Sequence, residues 1–191
     1  MQAEPTTKSR PIYPPVEIDK DVAQHLFIAE TGAFSALSKL YESCSSERSC
    51  WIVGEPEANS LGKYPKGCHF VRPADMSDVF SKLFSELPIS SSLYLSAFRE
   101  SFIWDMHNLA IKAGMADEQI KKLKPLSNER RLFCTHCYTL TEGVTHTPFQ
   151  CPGCDRLLLV RDHFSRNHGA YVGVQINAED PNDIPETQEL N

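Results

Sequence analysis

Apolar residues along this chain fall into short unbroken runs separated by stretches of helical period, the pattern of strands covered on both faces alternating with amphipathic helices. The runs HLFIA (25–29), CWIVG (50–54), CHFVR (68–72) and SLYLSA (92–97) read as four strands. Gly32 sits in a turn ahead of the helical run FSALSKLYES (34–43). Pro73 and an Asp75 N-cap open the helix MSDVFSKLFSEL (76–87), which stops at Pro88. After the fourth strand, Phe102, Met106, Leu109, Ala110 and Ala113 recur at i, i+4, i+7, i+8 and i+11, and Gly114 ends that helix. This face is expected to pack on the sheet, and a further short helix is expected at 117–123, before Pro125. The alternation predicts an α/β fold, a small parallel sheet flanked by helices on both faces.

On either side of this unit the pattern changes. Residues 1–20 carry Pro5, Pro11, Pro14 and Pro15 and little periodicity, which predicts an extended Pro-rich arm, poorly ordered when alone. KKLKPLSNERR (121–131) is a polar, basic connection, so a domain boundary is expected near residue 126. Beyond it, RRLFC (130–134) and RLLLVRDHF (156–164) fit strands around two cysteine pairs. The expected organisation is an arm (1–20), an α/β domain (21–126), a four-cysteine metal-ribbon β domain (127–176) and an acidic tail (177–191).

Charge sharpens this division. The 191 residues carry a formal net charge of −6, and the last fourteen hold five acids (Glu179, Asp180, Asp183, Glu186, Glu189) and no base. The rest of the chain is therefore close to neutral, with no basic stripe of the kind that binds nucleic-acid phosphates. No apolar run approaches the roughly 20 residues of a membrane-spanning helix. The start, MQAEPTTKSRPIYPP, lacks the apolar core of a secretory signal, so a cytoplasmic protein without membrane or nucleic-acid partners is expected. Seven cysteines cannot all pair within one chain, and Cys44, Cys50 and Cys68 read as reduced, partly buried thiols.

The strongest chemical signal is Cys134-Thr-His-Cys137, thirteen residues, then Cys151-Pro-Gly-Cys154. Each C-x-x-C sets two thiolates on a tight turn, and two such knuckles make a tetrahedral four-sulfur site. Thiolates are soft ligands that suit zinc or iron, and a structural metal gives a unit this small the stability that its core cannot. His136, His146, His163 and His168 lie nearby, but four thiolates already fill the site, so the histidines are expected to be surface or packing residues. No catalytic constellation is found: there is no Ser/His/Asp arrangement and no paired carboxylates on a helix face, and His107 reads as a packing or interface residue. Trp51, Trp104, Phe102 and Phe164 read as core, and the charged, aromatic run RDHFSR (161–166) is expected to touch a partner chain.

The paired knuckles resemble rubredoxin-like and zinc-ribbon domains, particularly in Cys-Pro-Gly-Cys. Rubredoxin-type iron sites usually have glycine directly after each pair; here those positions are Tyr138 and Asp155, which favours zinc over iron. LFIAETGAFSALSKL (26–40) and LYLSAFRESFIWDMHNLAIKAGMADEQI (93–120) resemble the first strand, glycine-rich loop and helix, and the late strand, Cys-Gly-Pro turn and helix, of the nicotinamide-binding domain of ferredoxin reductases. The phosphate loop keeps only Gly32 and has Glu30 beside it, Ser96-Ala97-Phe98 replaces the Cys-Gly-Pro turn, and Gly54-Glu55-Pro56-Glu57 offers no Arg for a 2′-phosphate. NAD(P)H binding is therefore not expected, nor is a flavin-binding barrel, since some 24 residues precede the first strand.

Taken together with FCTHCYTLTEGVTHTPFQCPGCDRLLLVRDHFSRNHGAYVGV (133–174), the chain resembles the small A-subunit (DmmA-like) family of bacterial dimethylamine monooxygenases. The resemblance implies an accessory, structural or electron-transfer subunit of a complex that oxidatively N-demethylates dimethylamine to methylamine and formaldehyde with NADPH. It also implies haem on one partner subunit and flavin with a 2Fe-2S cluster on a reductase subunit. The alternatives are a rubredoxin-like iron electron carrier at Cys134, Cys137, Cys151 and Cys154 or an NAD(P)H-binding reductase component, with a zinc-ribbon nucleic-acid module behind both.

Overall fold

A computed structural model describes residues 9–55, 61–176, 179–180, 182 and 184–191. Pro5 of the arm, Pro56, Glu57 and Asn59 of the loop after the second strand, and Asp183 of the tail lie outside the described residues. The chain divides into two compact units, Tyr13–Ser127 and a second built from the residues before Tyr13 together with Asn128–Asn191.

In the first unit, strands β1 (Gln24–Glu30), β2 (Arg48–Val53), β3 (His69–Val71) and β4 (Ser91–Ser96) are joined by β5 (Ile120–Lys122) in one sheet of order β3-β2-β1-β4-β5. Every pairing is parallel. Alternate residues serve opposite faces, as the twofold repeat of a strand requires. Leu26, Ile28, Leu93 and Leu95 pack with Phe80 and Phe84 of α2 (Met76–Glu86) and with Phe102 and Met106 of α3 (Glu100–Lys112). Phe27, Ala29, Ile52 and Tyr94 pack on the other face with Ala33, Phe34 and Leu37, next to the short α1 (Ser38–Ser43). The expected mixed α/β architecture with helices on both faces is thus present.

Three local expectations are corrected. The run at 117–123 is not a helix: a single 3-10 turn, Asp117–Gln119, is followed by β5, whose Ile120 pairs with Leu93. Gly114 sits at φ 99, turns the chain back along the sheet, and leaves too few residues for a helix. The helical run at 34–43 is split into a 3-10 turn, Ala33–Ala36, and α1. Asp75 does not cap α2 with its side chain; its carboxylate accepts a hydrogen bond from Arg72 Nε at 2.7 Å.

Burial on α3 is wider than the periodic stripe, because Glu100, Ser101, Trp104 and His107 are also covered. Tyr13 accounts for part of this: its hydroxyl donates to Glu100 at 2.5 Å and accepts from Trp104 Nε1 at 3.0 Å.

The second unit is β-rich. Strands β6 (Arg130–Cys134), β7 (Leu140–Val144), β9 (Phe149–Gln150), β10 (Leu157–Ser165) and β11 (Ala170–Gln175) form a sheet of order β7-β6-β11-β10-β9. The short β8 (His146–Thr147) pairs antiparallel with β12 (Gln188–Glu189), so the acidic tail returns as a strand. Leu132, Val144, Leu158, Val160, Phe164 and Tyr171 are buried here. No helix among the described residues is long and apolar enough to cross a membrane.

Candidate metal centre

Strand β6 ends on Cys134, and the chain turns at once. Cys134 N–H bonds to Thr139 O at 3.0 Å while Tyr138 N–H returns to Cys134 O at 3.0 Å. The second knuckle repeats the pattern: Cys151 N–H bonds to Arg156 O at 2.9 Å, and Asp155 N–H returns to Cys151 O at 2.9 Å. Tyr138 (φ 63) and Asp155 (φ 56) both occupy the left-handed region. Each turn thus needs a left-handed residue just after its second cysteine, a conformation that glycine adopts without strain and that Tyr138 and Asp155 supply here.

The turns bring the four sulfurs together. Cys134 and Cys154 Sγ are 3.9 Å apart, Cys137 and Cys151 Sγ 3.6 Å, and all four lie within 4.8 Å of one another. A tetrahedral ion with metal–sulfur bonds of about 2.3 Å needs sulfurs roughly 3.8 Å apart, so the four cysteines could hold a metal ion. Cys134 and Cys151 are buried, while Cys137 and Cys154 are half-buried. No histidine belongs to this group among the described residues. His168 stacks on Phe133 at 4.7 Å, His163 Nδ1 lies 3.1 Å from Ser9 Oγ, and His136 is exposed.

The electrostatics suit a cation. The hydroxyl and backbone N–H of Thr139 hold the Cys137 thiol down at about 6. Arg156 N–H pulls on Cys154, but burial and the hydrogen bonds shared with Cys137, Cys151 and Cys134 outweigh it and push that thiol up to about 12. Burial likewise raises Cys151, against bonds from Gly153 and Cys154 N–H. Four sulfurs this close do not all ionise by themselves, and a divalent ion lets them.

Two residues that the sequence reading did not single out shape the centre. Thr139 Oγ1 lies 3.2 Å from Cys137 Sγ. A Cβ at Gly153 would fall 2.1 Å from that hydroxyl, so Gly153 is the residue that lets Thr139 bridge the two knuckles. The Cys-Pro-Gly-Cys glycine was the available signal; its partner is visible only in three dimensions.

The family described as dimethylamine monooxygenase subunit DmmA-like, C-terminal domain, matches residues 131–174, which hold both knuckles. This C-terminal segment is similar to the DmmA-like family. Over 112 residues the chain is 33% identical to the heme-dependent oxidative N-demethylase delta subunit of Ectopseudomonas mendocina (strain ymp), a match covering 59% of this chain and 63% of the relative. The chain thus spans less than two thirds of that relative's length. No solved structure matches.

Within the DmmA-like segment, the run RDHFSR (161–166) is mostly engaged inside its own unit. Asp162 accepts from Arg10 Nε at 2.8 Å and from Arg130 Nη1 at 3.1 Å, and Phe164 packs edge-on against Tyr171. Arg161 Nε is buried without a hydrogen-bond partner.

In the α/β unit, the carboxyl ends of β1 and β4 mark the point where strand order reverses, the usual ligand position of open parallel sheets. Here it is filled from within. The Glu30 carboxylate accepts the N–H groups of Phe98 (2.9 Å) and Arg99 (3.1 Å) and the Nε of Arg99 (2.7 Å), at the start of α3. The Phe98 ring lies against Gly32, where an added Cβ would be 3.3 Å away. His107 Nε2 sits 2.8 Å from Asp117 Oδ1, and its ring packs edge-on against Trp104. Phe102, Trp104 and Phe164 are buried, and Trp51 is half-buried against Phe80.

Proposed function

We propose that this protein is an accessory subunit of a multi-subunit, NADPH-dependent dimethylamine monooxygenase, which oxidatively N-demethylates dimethylamine to methylamine and formaldehyde. The likeness to a subunit of a heme-dependent oxidative N-demethylase carries this reading. Partner subunits supply the haem and the flavin with its iron–sulfur cluster, and this chain contributes docking surfaces, not catalytic residues. Its α/β unit is a reductase-like scaffold and its C-terminal unit a rubredoxin-like ribbon, in a cytoplasmic complex. Glu30 supports a role without NAD(P)H, because the N–H groups of Phe98 and Arg99 hold its carboxylate beside Gly32, where its charge would repel a dinucleotide phosphate.

Cys134, Cys137, Cys151 and Cys154 hold one metal ion, zinc in preference to iron. A bound zinc supplies structural closure, fixing two hairpins that have little core of their own. Arg161 and Arg166, in the charged, aromatic run just beyond the second knuckle, are the residues that meet a partner.

Co-expression of the tagged chain with the genes beside its own tests the assembly. The expected result is co-elution of a haem protein and a flavin/iron–sulfur protein, formaldehyde release from dimethylamine with NADPH, and weaker co-elution when Arg161 and Arg166 are both replaced by Ala. An equally stable and active complex made without this chain overturns the proposal.

A second reading, electron transfer through iron, draws on the left-handed Tyr138 and Asp155 and on the N–H groups aimed at Cys137, Cys151 and Cys154. The absorption of protein purified without added metal separates the two. A red thiolate-to-iron band supports the carrier, and a colourless protein holding zinc removes it.

A further inference from the structure

Cys50 and Cys68 are far from the metal centre in sequence and play no part in the function proposed above. Cys50 lies in β2, and Cys68 immediately precedes β3. The strands run parallel, with Trp51 beside His69 and Ile52 beside Phe70, so the register places Cys50 beside Cys68. Residues paired this way point to the same face of a sheet. Both cysteines do so, toward the cluster that holds Phe27, Ile52 and Tyr94. Their sulfurs are 3.4 Å apart, with the Cys68 thiol donating to Cys50 Sγ. Adjacent strands are about 4.8 Å apart, inside the roughly 4.4–6.8 Å range of Cα separations that a disulfide spans. The bond can therefore close by side-chain rotation, with the sheet left in place.

We infer that Cys50 and Cys68 form a reversible redox site, a dithiol that hydrogen peroxide converts to a cross-strand disulfide. The two thiols have distinct roles. Cys50 is buried and Cys68 is half-exposed, so the oxidant meets Cys68. The hydrogen bond shared with Cys50 brings the Cys68 thiol below its ordinary value, while the same bond and burial keep Cys50 protonated. Cys68 thiolate attacks the peroxide oxygen, the O–O bond breaks, and water leaves with a proton from solvent, giving a sulfenic acid. Cys50 sulfur then attacks the Cys68 sulfur, the S–O bond breaks, and a second water leaves with the Cys50 proton. In sum, two thiols and one peroxide give one disulfide and two waters; sulfur is oxidised and the peroxide oxygens are reduced. A thiol reductant returns the pair by exchange.

The test uses the full-length protein in its metal-loaded form. After brief treatment with hydrogen peroxide, free thiols are alkylated and the protein is digested with trypsin. The expected product joins peptide 49–63 to peptide 67–82, the Arg72-Pro73 bond resisting cleavage. The intact protein becomes lighter by about 2 Da, and dithiothreitol reverses the change. In Cys50→Ser, Cys68 should be trapped as a sulfenic acid by dimedone; in Cys68→Ser, Cys50 should remain an alkylatable thiol. Over-oxidation of Cys68 in the unaltered protein without the cross-linked peptide overturns the inference. So does a cross-link from either residue to Cys44 in its place.

Discussion

Arg99 and Glu30 meet at the carboxyl end of the parallel sheet, with the guanidinium Nε 2.7 Å from one carboxylate oxygen while the backbone N–H groups of Phe98 and Arg99 take the other. The Arg99 side chain is 46% exposed, so water screens much of the ion pair. The two N–H bonds at the start of α3 are the larger part, because they satisfy donors that the helix itself leaves open.

Glu30→Ala should therefore lower the stability of the α/β unit by about 1–3 kcal/mol, the cost of losing the hydrogen bonds that Phe98 and Arg99 donate to a buried carboxylate. Glu30→Gln, which keeps an acceptor oxygen, should lose markedly less. Urea unfolding of both variants measures this, and equal losses would show that charge matters more than the N–H bonds.

His25 is buried in β1, with Nδ1 3.2 Å from the Tyr94 hydroxyl. Burial pulls its pKa below the ordinary value, and Asp19 only partly opposes this. The unfolded chain thus binds a proton at a pH where the folded chain does not. The resulting stability is fully present above about pH 6.5 and is lost as pH falls through the lower folded value. Urea midpoints of the α/β unit should be level near pH 7.5 and decline toward pH 5. In His25→Gln that decline should flatten.

Thr139→Val removes the hydroxyl beside Cys137 Sγ and keeps the side chain's shape. On the proposed four-cysteine metal site, affinity measured by competition with a chromogenic chelator should fall about 10–100-fold. Gly153→Ala should do more harm, since its Cβ would meet Thr139 Oγ1 at 2.1 Å, and metal content should drop below one ion per chain. Full occupancy in Gly153→Ala would show that the knuckle can move aside.

Arg130 is almost wholly buried, with its side chain 5% exposed, over the Tyr171 ring and beside Asp162. Burial works to raise the Asp162 pKa, but Arg10 and Arg130 together hold it below the usual carboxylate range. Asp162→Ala strands the Arg130 charge and should destabilise the C-terminal unit by roughly 3 kcal/mol. Asp162→Asn should recover part of that loss in thermal unfolding.

What could be read from the sequence was what is local. The runs at 25–29 and 92–97 announced β1 and β4 because strands buried on both faces need unbroken apolar residues. The grouping of Cys134, Cys137, Cys151 and Cys154 was legible because each pair shares one turn. Strand β5 escaped notice because Ile120 is its only apolar residue, and β12 because both its residues are polar and its partner β8 lies some forty positions earlier. Glu30 looked like a residue that repels a ligand; that it also bonds Phe98 and Arg99, nearly seventy positions away, is a property of the folded sheet alone.

Ser9 and Arg10 belong with the unit that resumes at Asn128, so the C-terminal unit is discontinuous and the α/β unit is, in chain order, an insertion between Ile12 and Asn128. A fragment starting at residue 128 would lack the Arg10 guanidinium on Asp162 and the Ser9 N–H on its carbonyl. The better minimal piece splices 9–12 to 128–191 through a short linker, carrying the knuckles together with the strap that closes over β10.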